Sequence, residues 1–319
     1  MSEPNKIRTP ETAYKVTLIL LLSLAAFSSA LRDLNRLQEL VSNLQEFSGE
    51  WLAVGLNTAE AKDLSASESL CLLNAAQGDN TSHEFRWSGR IAPGSAIEIK
   101  GINGDLTTEA ASGDQVEVIA RKKARRSDPD GVPIKVVEHA GGVTICAVYP
   151  SADPGKPNTC EPGNAGRMNV RDNDVQVDFT VRVPAGVGFI GRTVNGGISA
   201  TSLSGNVMSY TVNGSVKIST SGYAQAKTVN GEISARIGDA NWPDSLEFTT
   251  VNGEISLDLP AAVSTEIKAE TLNGEITSDF PLTMMNRISR KHINGRIGNG
   301  GRELKLKTLN GGISLRRAG

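Results

Sequence analysis

Short alternations of apolar and polar residues fill the last two thirds of the chain, and each adjoins an Asn-Gly or Ser-Gly pair. The motif reads apolar, Asn-Gly, any residue, apolar, and its clearest form, TVNGEI, begins at both Thr228 and Thr250. Between copies, stretches such as VQVDFTVRV at 175–183 alternate strictly, which is typical of half-buried strands. A motif that recurs in this way predicts a repeat architecture.

The Asn-Gly form of the motif occurs eight times. The pairs are Asn103 and Gly104, Asn195 and Gly196, Asn213 and Gly214, Asn230 and Gly231, Asn252 and Gly253, Asn273 and Gly274, Asn294 and Gly295, and Asn310 and Gly311. When the Ser-Gly copies are counted, the step between glycines is eight or nine residues from Gly196 to Gly231. Beyond Gly231 the step lengthens to between 16 and 22 residues.

Asn-Gly usually signals a two-residue hairpin, but the flanking residues argue for a corner instead. A hairpin would place Val229 and Ile233 on opposite faces, whereas a corner keeps residues four apart on the same side. We therefore expect solenoid corners with both apolar residues inward. Glycine supplies the left-handed conformation, and asparagine tolerates it next best.

Two further sets of equivalent positions are consistent with repeats that stack on one another as the rungs of a solenoid. Threonine stands two residues before most of the Asn positions, as at Thr228 and Thr250, and would form a β-branched column. Stacked Asn side chains can hydrogen-bond from rung to rung. We predict an all-β fold, a β-solenoid repeat domain over 83–319, preceded by a helical and partly flexible lead over 31–82.

The N-terminus has the pattern of an export signal. Three basic residues precede an apolar run at 16–27, and small residues follow as far as Ala30, which predicts a signal peptide over 1–30. The alternative is an uncleaved anchor over 16–31, because leucines at heptad spacing continue through 31–47 and could self-associate. Both interpretations place the protein outside the cytoplasm, in the periplasm, at the cell surface or secreted.

Composition excludes several classes of function. The chain has 319 residues, 39% of them hydrophobic, a net charge of −2 and three histidines. Near-neutral charge gives no general attraction for nucleic acid, and so few histidines leave little material for a metal centre. We expect no cofactor, no metal and no nucleic-acid partner.

Export changes the interpretation of the cysteines. Cys146 and Cys160 are fourteen residues apart, and in an oxidising compartment a disulfide is favoured over two buried thiols. Cys71 is left over, and we expect it to be free.

These motifs together resemble a known family. The TVNGEI and TLNGEI units, the opening GSAIEIKGINGDLT and the ending RIGNGGRELKLKTLNGGISLRR resemble the bacterial putative-adhesin β-strand-repeat family of unknown function, also called Toastrack-like. The resemblance covers residues 83–319 and implies a right-handed β-solenoid at the cell envelope. It implies no catalytic or ligand-binding residues, so none is assigned.

The position after each Asn-Gly should face outward. It holds Glu232, Glu254 and Glu275 in successive copies and then Arg296. Glutamates on adjacent rungs would lie about 4.8 Å apart and repel each other. We interpret them as a solvated acidic stripe, with a calcium site as the alternative.

Charge is divided along the last eighty residues. Residues 239–283 hold nine acids and one base, and residues 284–319 hold nine bases and one acid. The candidate interaction surface drawn from the basic segment comprises Arg287, Arg290, Lys291, Arg296, Arg302, Lys305 and Lys307. It could meet an acidic polymer, lipid headgroups or another copy of the chain. The alternative is that these residues protect the edge of the last rung from strand pairing.

Signals for catalysis are weak. Asp172, Asp174 and Asp178 are the acids that a polysaccharide-cleaving site would use. We predict instead a non-enzymatic, exported cell-envelope protein that acts as a binding or scaffolding surface. Its partner would be an envelope polysaccharide, the membrane surface or another envelope protein. A membrane-anchored envelope-stress or regulatory component and a polysaccharide-active enzyme stay open as alternatives.

Overall fold

A computed structural model describes residues 83–284 and 290–318. Over these residues the chain forms 21 strands in two sheets and one 3₁₀ turn at Pro129–Gly131. The signal or anchor segment, the helical lead at 31–82 with its seam at 31–47, and Cys71 lie outside the described residues. The proposed domain boundaries therefore stay predictions.

The strands follow one another along the chain with short connections. The first eleven are β1 His83–Gly89, β2 Ala96–Lys100, β3 Leu106–Ala110, β4 Val116–Lys123, β5 Ile134–His139, β6 Gly142–Ala147, β7 Gln176–Val183, β8 Gly188–Arg192, β9 Ile198–Leu203, β10 Val207–Tyr210 and β11 Val216–Thr220. The others are β12 Ala224–Lys227, β13 Ile233–Ile237, β14 Leu246–Thr249, β15 Ile255–Leu259, β16 Thr265–Asn273, β17 Ile276–Ser278, β18 Leu282–Met284, β19 His292–Ile297, β20 Glu303–Asn310 and β21 Ile313–Arg317.

The two sheets face each other, and the chain passes from one to the other at every corner. The ten-stranded sheet has the order β1-β4-β7-β3-β9-β11-β13-β15-β21-β17, and the eleven-stranded sheet β18-β19-β16-β20-β14-β12-β10-β8-β2-β6-β5. A rung is one strand of the eleven-stranded sheet, an Asn-Gly corner and one strand of the ten-stranded sheet. Seven such rungs stack in parallel among the described residues, which confirms the predicted all-β solenoid.

The core lies between the sheets, where like residues stack in columns. Ile198, Val216, Ile233, Ile255 and Ile313 are direct neighbours on successive rungs, and each is at most 1% exposed. Burial of aliphatic columns of this kind is the main stabilising contribution that a fold with 4% aromatic residues can draw on.

At six of the seven corners the residue two before the asparagine is a buried threonine. The apolar residue between them is buried at some corners, as at Val251, and only partly buried at others, so the expectation that both flanking apolar residues point inward holds only in part. Thr228 is fully buried, whereas Val229 is only partly buried. The Thr228 hydroxyl donates to the carbonyl of Gly214 on the preceding rung at 2.9 Å. Threonine is required because valine would leave that buried carbonyl without this donor.

Glycine is needed at the corners for close backbone approach more than for a left-handed conformation. A Cβ at Gly231 would lie 2.1 Å from the carbonyl oxygen of Gly214, and one at Gly253 would lie 2.0 Å from that of Gly231. Of the seven corner glycines, only Gly104 and Gly311 have φ in the left-handed region. The expectation of a left-handed corner was therefore wrong for the other five.

The Ser-Gly copies lie at the opposite corner of the solenoid. Gly205 connects β9 to β10 and Gly222 connects β11 to β12. A step of eight or nine residues is therefore half a rung, and a complete turn from Asn195 to Asn213 takes 18 residues.

The order of rungs in space differs from their order in the chain. Asn310 pairs with Asn252, 58 residues earlier, and Asn273 pairs with Asn310 rather than with Asn252. The chain therefore builds its outermost rung from β16 and β17, and afterwards inserts β20 and β21 between that rung and the one before.

Asn294 and Gly295 do not form a corner, so this predicted turn was wrong. They lie inside β19, which pairs antiparallel with β16 and places Asn294 opposite Lys268. The motif is present, but here the chain continues through it as a strand. At this end of the eleven-stranded sheet, β18 is the edge strand and β19 is next to it. At the other end of the solenoid, antiparallel pairings of β1 with β4 and of β5 with β6 end the two sheets.

Candidate binding surface

The side chains of the corner asparagines form one continuous ladder along the solenoid. Each Nδ2 donates to the Oδ1 of its neighbour at 2.7–2.9 Å. In spatial order the ladder runs Asn103, Asn195, Asn213, Asn230, Asn252, Asn310 and Asn273. At one end, the Asn103 amide donates to the backbone of residues 173 and 175.

The ladder leaves half of the hydrogen-bonding capacity of each inner amide unused. An amide has two N–H donors and an oxygen with two lone pairs, and the ladder consumes one of each. Six of the seven asparagines are exposed, as Asn213 and Asn252 illustrate. The corner is thus structural, but its outer edge presents donors and acceptors about 4.8 Å apart.

A row of hydroxyl groups runs parallel to the ladder on the outer face of the ten-stranded sheet. Its members stand four residues after each corner asparagine and are in register across the strands: Thr107, Ser199, Ser234, Ser256, Ser314 and Thr277. Lys217 interrupts the row between Ser199 and Ser234. Sequence reasoning missed this row, although the recurring NGxxS or NGxxT spacing was the signal.

The acidic column beside the ladder is broken, contrary to the expectation of three stacked glutamates. Glu232 and Glu254 are on adjacent rungs, but Gly312 lies between Glu254 and Glu275 because β21 is inserted there. Glu275 instead lies 3.4 Å from the exposed guanidinium of Arg290. The insertion separates like charges, which repel when they are directly opposite.

The basic residues of the candidate interaction surface do not form a single patch. Lys305 and Lys307 lie on β20, which is an internal strand, so the edge-protection alternative was wrong for them. Lys305 bonds Glu303 at 2.9 Å and is opposite Glu247, while Lys307 is opposite Glu270.

The other members of that set are dispersed. Arg296 is opposite Glu266 on the neighbouring strand, and the Lys291 amine donates to the carbonyl of Leu272 at 2.7 Å. Arg302 lies in the connection before β20, and Arg287 is outside the described residues. Because basic strands are inserted between acidic ones, the charge division along the sequence does not become a division in space.

The three aspartates considered for catalysis are spread over a loop and a strand, and two have structural roles. Asp174 accepts from the backbone N–H groups of Arg126 and Ser127 at 3.1 and 2.8 Å. Hydrogen bonds from Ser127 lower the pKa of Asp174 to about 2, the opposite of the raised pKa that a general acid in glycoside cleavage has. Asp178 accepts from Lys123 and Gln176, and Asp172 has a left-handed φ of 52°.

Cys146 and Cys160 are joined in a disulfide that clamps a long loop. The loop lies over the outer face of β2, where its carbonyls at residues 161, 163 and 165 accept from the Lys100 amine at 2.5–3.2 Å. Glu98 beside it accepts from Arg192 at 2.9 Å. Sequence reasoning missed this buried charge cluster, because no motif marks it apart from the charged residues in the strand AIEIK.

Residues 83–284 and 290–318 contain no group of three His, Cys, Asp or Glu residues placed to hold a metal ion. They also contain no helix that is both long and apolar enough to cross a membrane.

Comparison with known proteins identifies the repeat. The Toastrack DUF4097 family model matches residues 192–316. None of the curated proteins matches the chain. The crystal structure of a putative cell adhesion protein from Clostridium sporogenes ATCC 15579 is 14% identical with a TM-score of 0.41, covering 75% of this chain and 100% of that one.

Two further crystal structures match more weakly. A putative adhesin from Bacteroides fragilis NCTC 9343 is 12% identical with a TM-score of 0.28, covering 74% of this chain and 97% of its own. A putative adhesin from Parabacteroides distasonis ATCC 8503 is 11% identical with a TM-score of 0.21, covering 75% and 98%. The segment that matches the Toastrack DUF4097 family model, residues 192–316, includes six of the seven ladder corners.

Proposed function

We propose that the protein is a non-enzymatic binding and scaffolding surface of the bacterial cell envelope, and that it binds through the outer face of the ten-stranded sheet. The observation that carries this proposal is the register of that face. From β3 to β17 one column presents an amide on every rung, and the column beside it presents a hydroxyl on every rung except that of Lys217. The Cys146–Cys160 disulfide and the signal-like N-terminus support a location outside the cytoplasm.

The face suits an extended partner that offers many weak contacts. Serine and threonine hydroxyls both donate and accept, and these short side chains lose little conformational entropy when they are fixed. One such contact is weak, but several on one rigid face act together and raise the overall affinity.

The charges beside the hydroxyl row favour a neutral polymer over an acidic one. Glu232 and Glu254 flank the row on exposed positions. On its other side Arg236 pairs with Asp258 at 3.0 Å. Lys217 in the row and Arg316 opposite Asp258 are exposed cations, so the face has no single sign of charge. A face of mixed charge gives no net attraction to a polymer of either sign, which leaves a neutral, hydroxyl-rich envelope polysaccharide as the best-matched partner.

The test is co-sedimentation of the full chain with insoluble cell-wall polysaccharide, cellulose and chitin at low and high salt. The variant changes Ser199, Ser234, Ser256 and Ser314 to alanine. We expect retention that is insensitive to salt and that falls several-fold in the variant.

A matched control removes hydroxyls elsewhere, with Ser204→Ala and Ser245→Ala at exposed positions off the face. Circular dichroism checks that all variants stay folded. Absence of binding to every polymer, or equal retention of the row variant and the control, would overturn the proposal. Binding that is lost at high salt would indicate a charged partner instead.

A further inference from the structure

A cleft lies at the end of the solenoid where β1 and β5 are the edge strands of the two sheets. It has a volume of ≈350 Å³, and its lining includes Trp87, Ile91, Ser88, Glu138 and Val143. Small-molecule sites occupy volumes from about 300 Å³ upward and combine apolar walls with a few polar groups. This cleft has a volume of that order, and Trp87 is its aromatic wall, but its lining is more polar than apolar, which suits a hydroxylated ligand.

The aromatic wall of the cleft is held in place by a glycine. A Cβ at Gly89 would lie 2.6 Å from the Trp87 ring atom Cζ2, so the indole occupies the space that a side chain at position 89 would fill. Trp87 is opposite the buried Val118 and packs on one side against the core. It is nevertheless partly exposed, and its indole N–H has no acceptor within residues 83–284 and 290–318.

The polar side chains of the cleft differ in whether they already have a hydrogen-bond or ion-pair partner within the protein. Arg90 is paired with Asp114 at 2.9 Å. His139 accepts from the Gly141 N–H through Nδ1, which leaves Nε2 to donate to Thr144 at 3.1 Å. Glu138, by contrast, is exposed and has no ion pair or hydrogen-bond donor in the part of the chain that the structure describes.

We propose that this cleft binds one neutral pyranose unit of a glycan. Pyranose rings present a face of C–H groups that packs on an indole, and a rim of hydroxyls. One hydroxyl would donate to the Glu138 carboxylate, and another would accept from the Trp87 N–H. An anionic sugar is disfavoured because its carboxylate would meet Glu138 while Arg90 is already paired.

This site is separate from the hydroxyl face. Trp87 and Glu138 lie on the core-facing sides of the end strands, whereas the hydroxyl row lies on the outer face of the ten-stranded sheet. The inference therefore goes beyond the proposed function, and each can fail without the other.

The experiment is isothermal titration calorimetry of the full chain with three probes: cellotetraose, tetra-N-acetylchitotetraose and tetragalacturonate. We expect at least one neutral tetramer to bind with a Kd of about 1 mM or tighter. Tetragalacturonate should bind more weakly. Trp87→Ala should abolish the heat of binding, while Trp87→Phe should keep the stacking surface and bind several-fold more weakly than the wild type.

Glu138→Gln tests the polar contact without removing the aromatic wall, and Asp244→Asn, an exposed acid outside both the cleft and the hydroxyl row, is its control. Only the first should weaken binding. If Trp87→Ala fails to fold, Trp87→Phe and Glu138→Gln still test whether the cleft binds the glycan. The proposal is overturned if neither neutral tetramer binds, if tetragalacturonate binds as well as they do, or if the cleft variants bind like the wild type.

Discussion

The side-chain amide of Asn310 donates to Asn252 at 2.7 Å, although 58 residues separate them in the chain. This bond is the fifth of the six in a seven-membered amide ladder, with Asn230 beyond Asn252 on one side and Asn273 beyond Asn310 on the other. The last strands of the chain are thereby placed inside the solenoid rather than at its end.

Removing one ladder amide should cost modest stability. Asn252→Ala loses the bonds to Asn230 and Asn310, and for exposed amides we expect a loss of about 1–2 kcal/mol in the free energy of unfolding. Urea denaturation measures it. Asn241→Ala, at an exposed asparagine outside the ladder, is the control and should change stability by less than about 0.5 kcal/mol. Equal effects in the two variants would show that the ladder bonds contribute nothing.

A side chain at an inner corner glycine should be far more damaging. In Gly253→Ala the new Cβ would lie 2.0 Å from the backbone oxygen of Gly231, and two rungs would have to separate. We expect a loss of at least about 4 kcal/mol or failure to fold. Gly113→Ala is the matched control, because a Cβ there meets nothing within 4 Å. Thermal unfolding of both variants tests this, and a near-native melting temperature for Gly253→Ala would contradict it.

Opening the disulfide should destabilise the protein and release the loop over Lys100. The bond closes a separation of 14 residues, which corresponds to about 3 kcal/mol on loop-entropy arguments. Cys146→Ser with Cys160→Ser should lower the melting temperature and make residues 151–173 sensitive to limited proteolysis. The reduced wild type should behave like the double variant. Unchanged protease resistance would mean that hydrogen bonds alone hold the loop.

Lys100 should make the free energy of unfolding depend on pH in the alkaline range. Burial lowers the pKa of Lys100 to about 8 from its ordinary 10.5. Between these values the unfolded chain binds more protons than the folded one, so the free energy of unfolding rises with pH. We expect the stability of the wild type relative to Lys100→Met to be flat below about pH 8 and to rise from there to about pH 10.5.

Urea denaturation at intervals from pH 7 to 10.5 measures this difference. Lys217→Met, at an exposed lysine, is measured in the same way and gives the change in the free energy of unfolding when a surface amine is removed. A wild-type curve that stays parallel to that of Lys100→Met over the whole range would show that the burial of Lys100 does not perturb its titration.

The repeat could be predicted from the sequence because the same requirements recur at every corner and select the same residues there. Gly253 is required by the close approach of two backbones, and the residues on each side of it alternate as a strand demands. Such requirements recur at every corner, so TVNGEI and its variants indicate the all-β solenoid without knowledge of any long-range contact. The family resemblance follows from the same residues.

The tertiary structure alone decided which rung lies next to which. The backbones of the rungs are nearly the same, so the backbone alone does not decide which rung the corner at Asn310 stacks on. Nor does it decide whether the motif at Asn294 forms a corner. The choice depends on side chains that are distant in the chain. Inserting β20 puts Lys305 beside Glu247, and inserting β21 puts Gly312 between Glu254 and Glu275. Opposite charges attract and like charges repel across neighbouring strands, so these non-local placements favour the basic C-terminal segment as an internal rung.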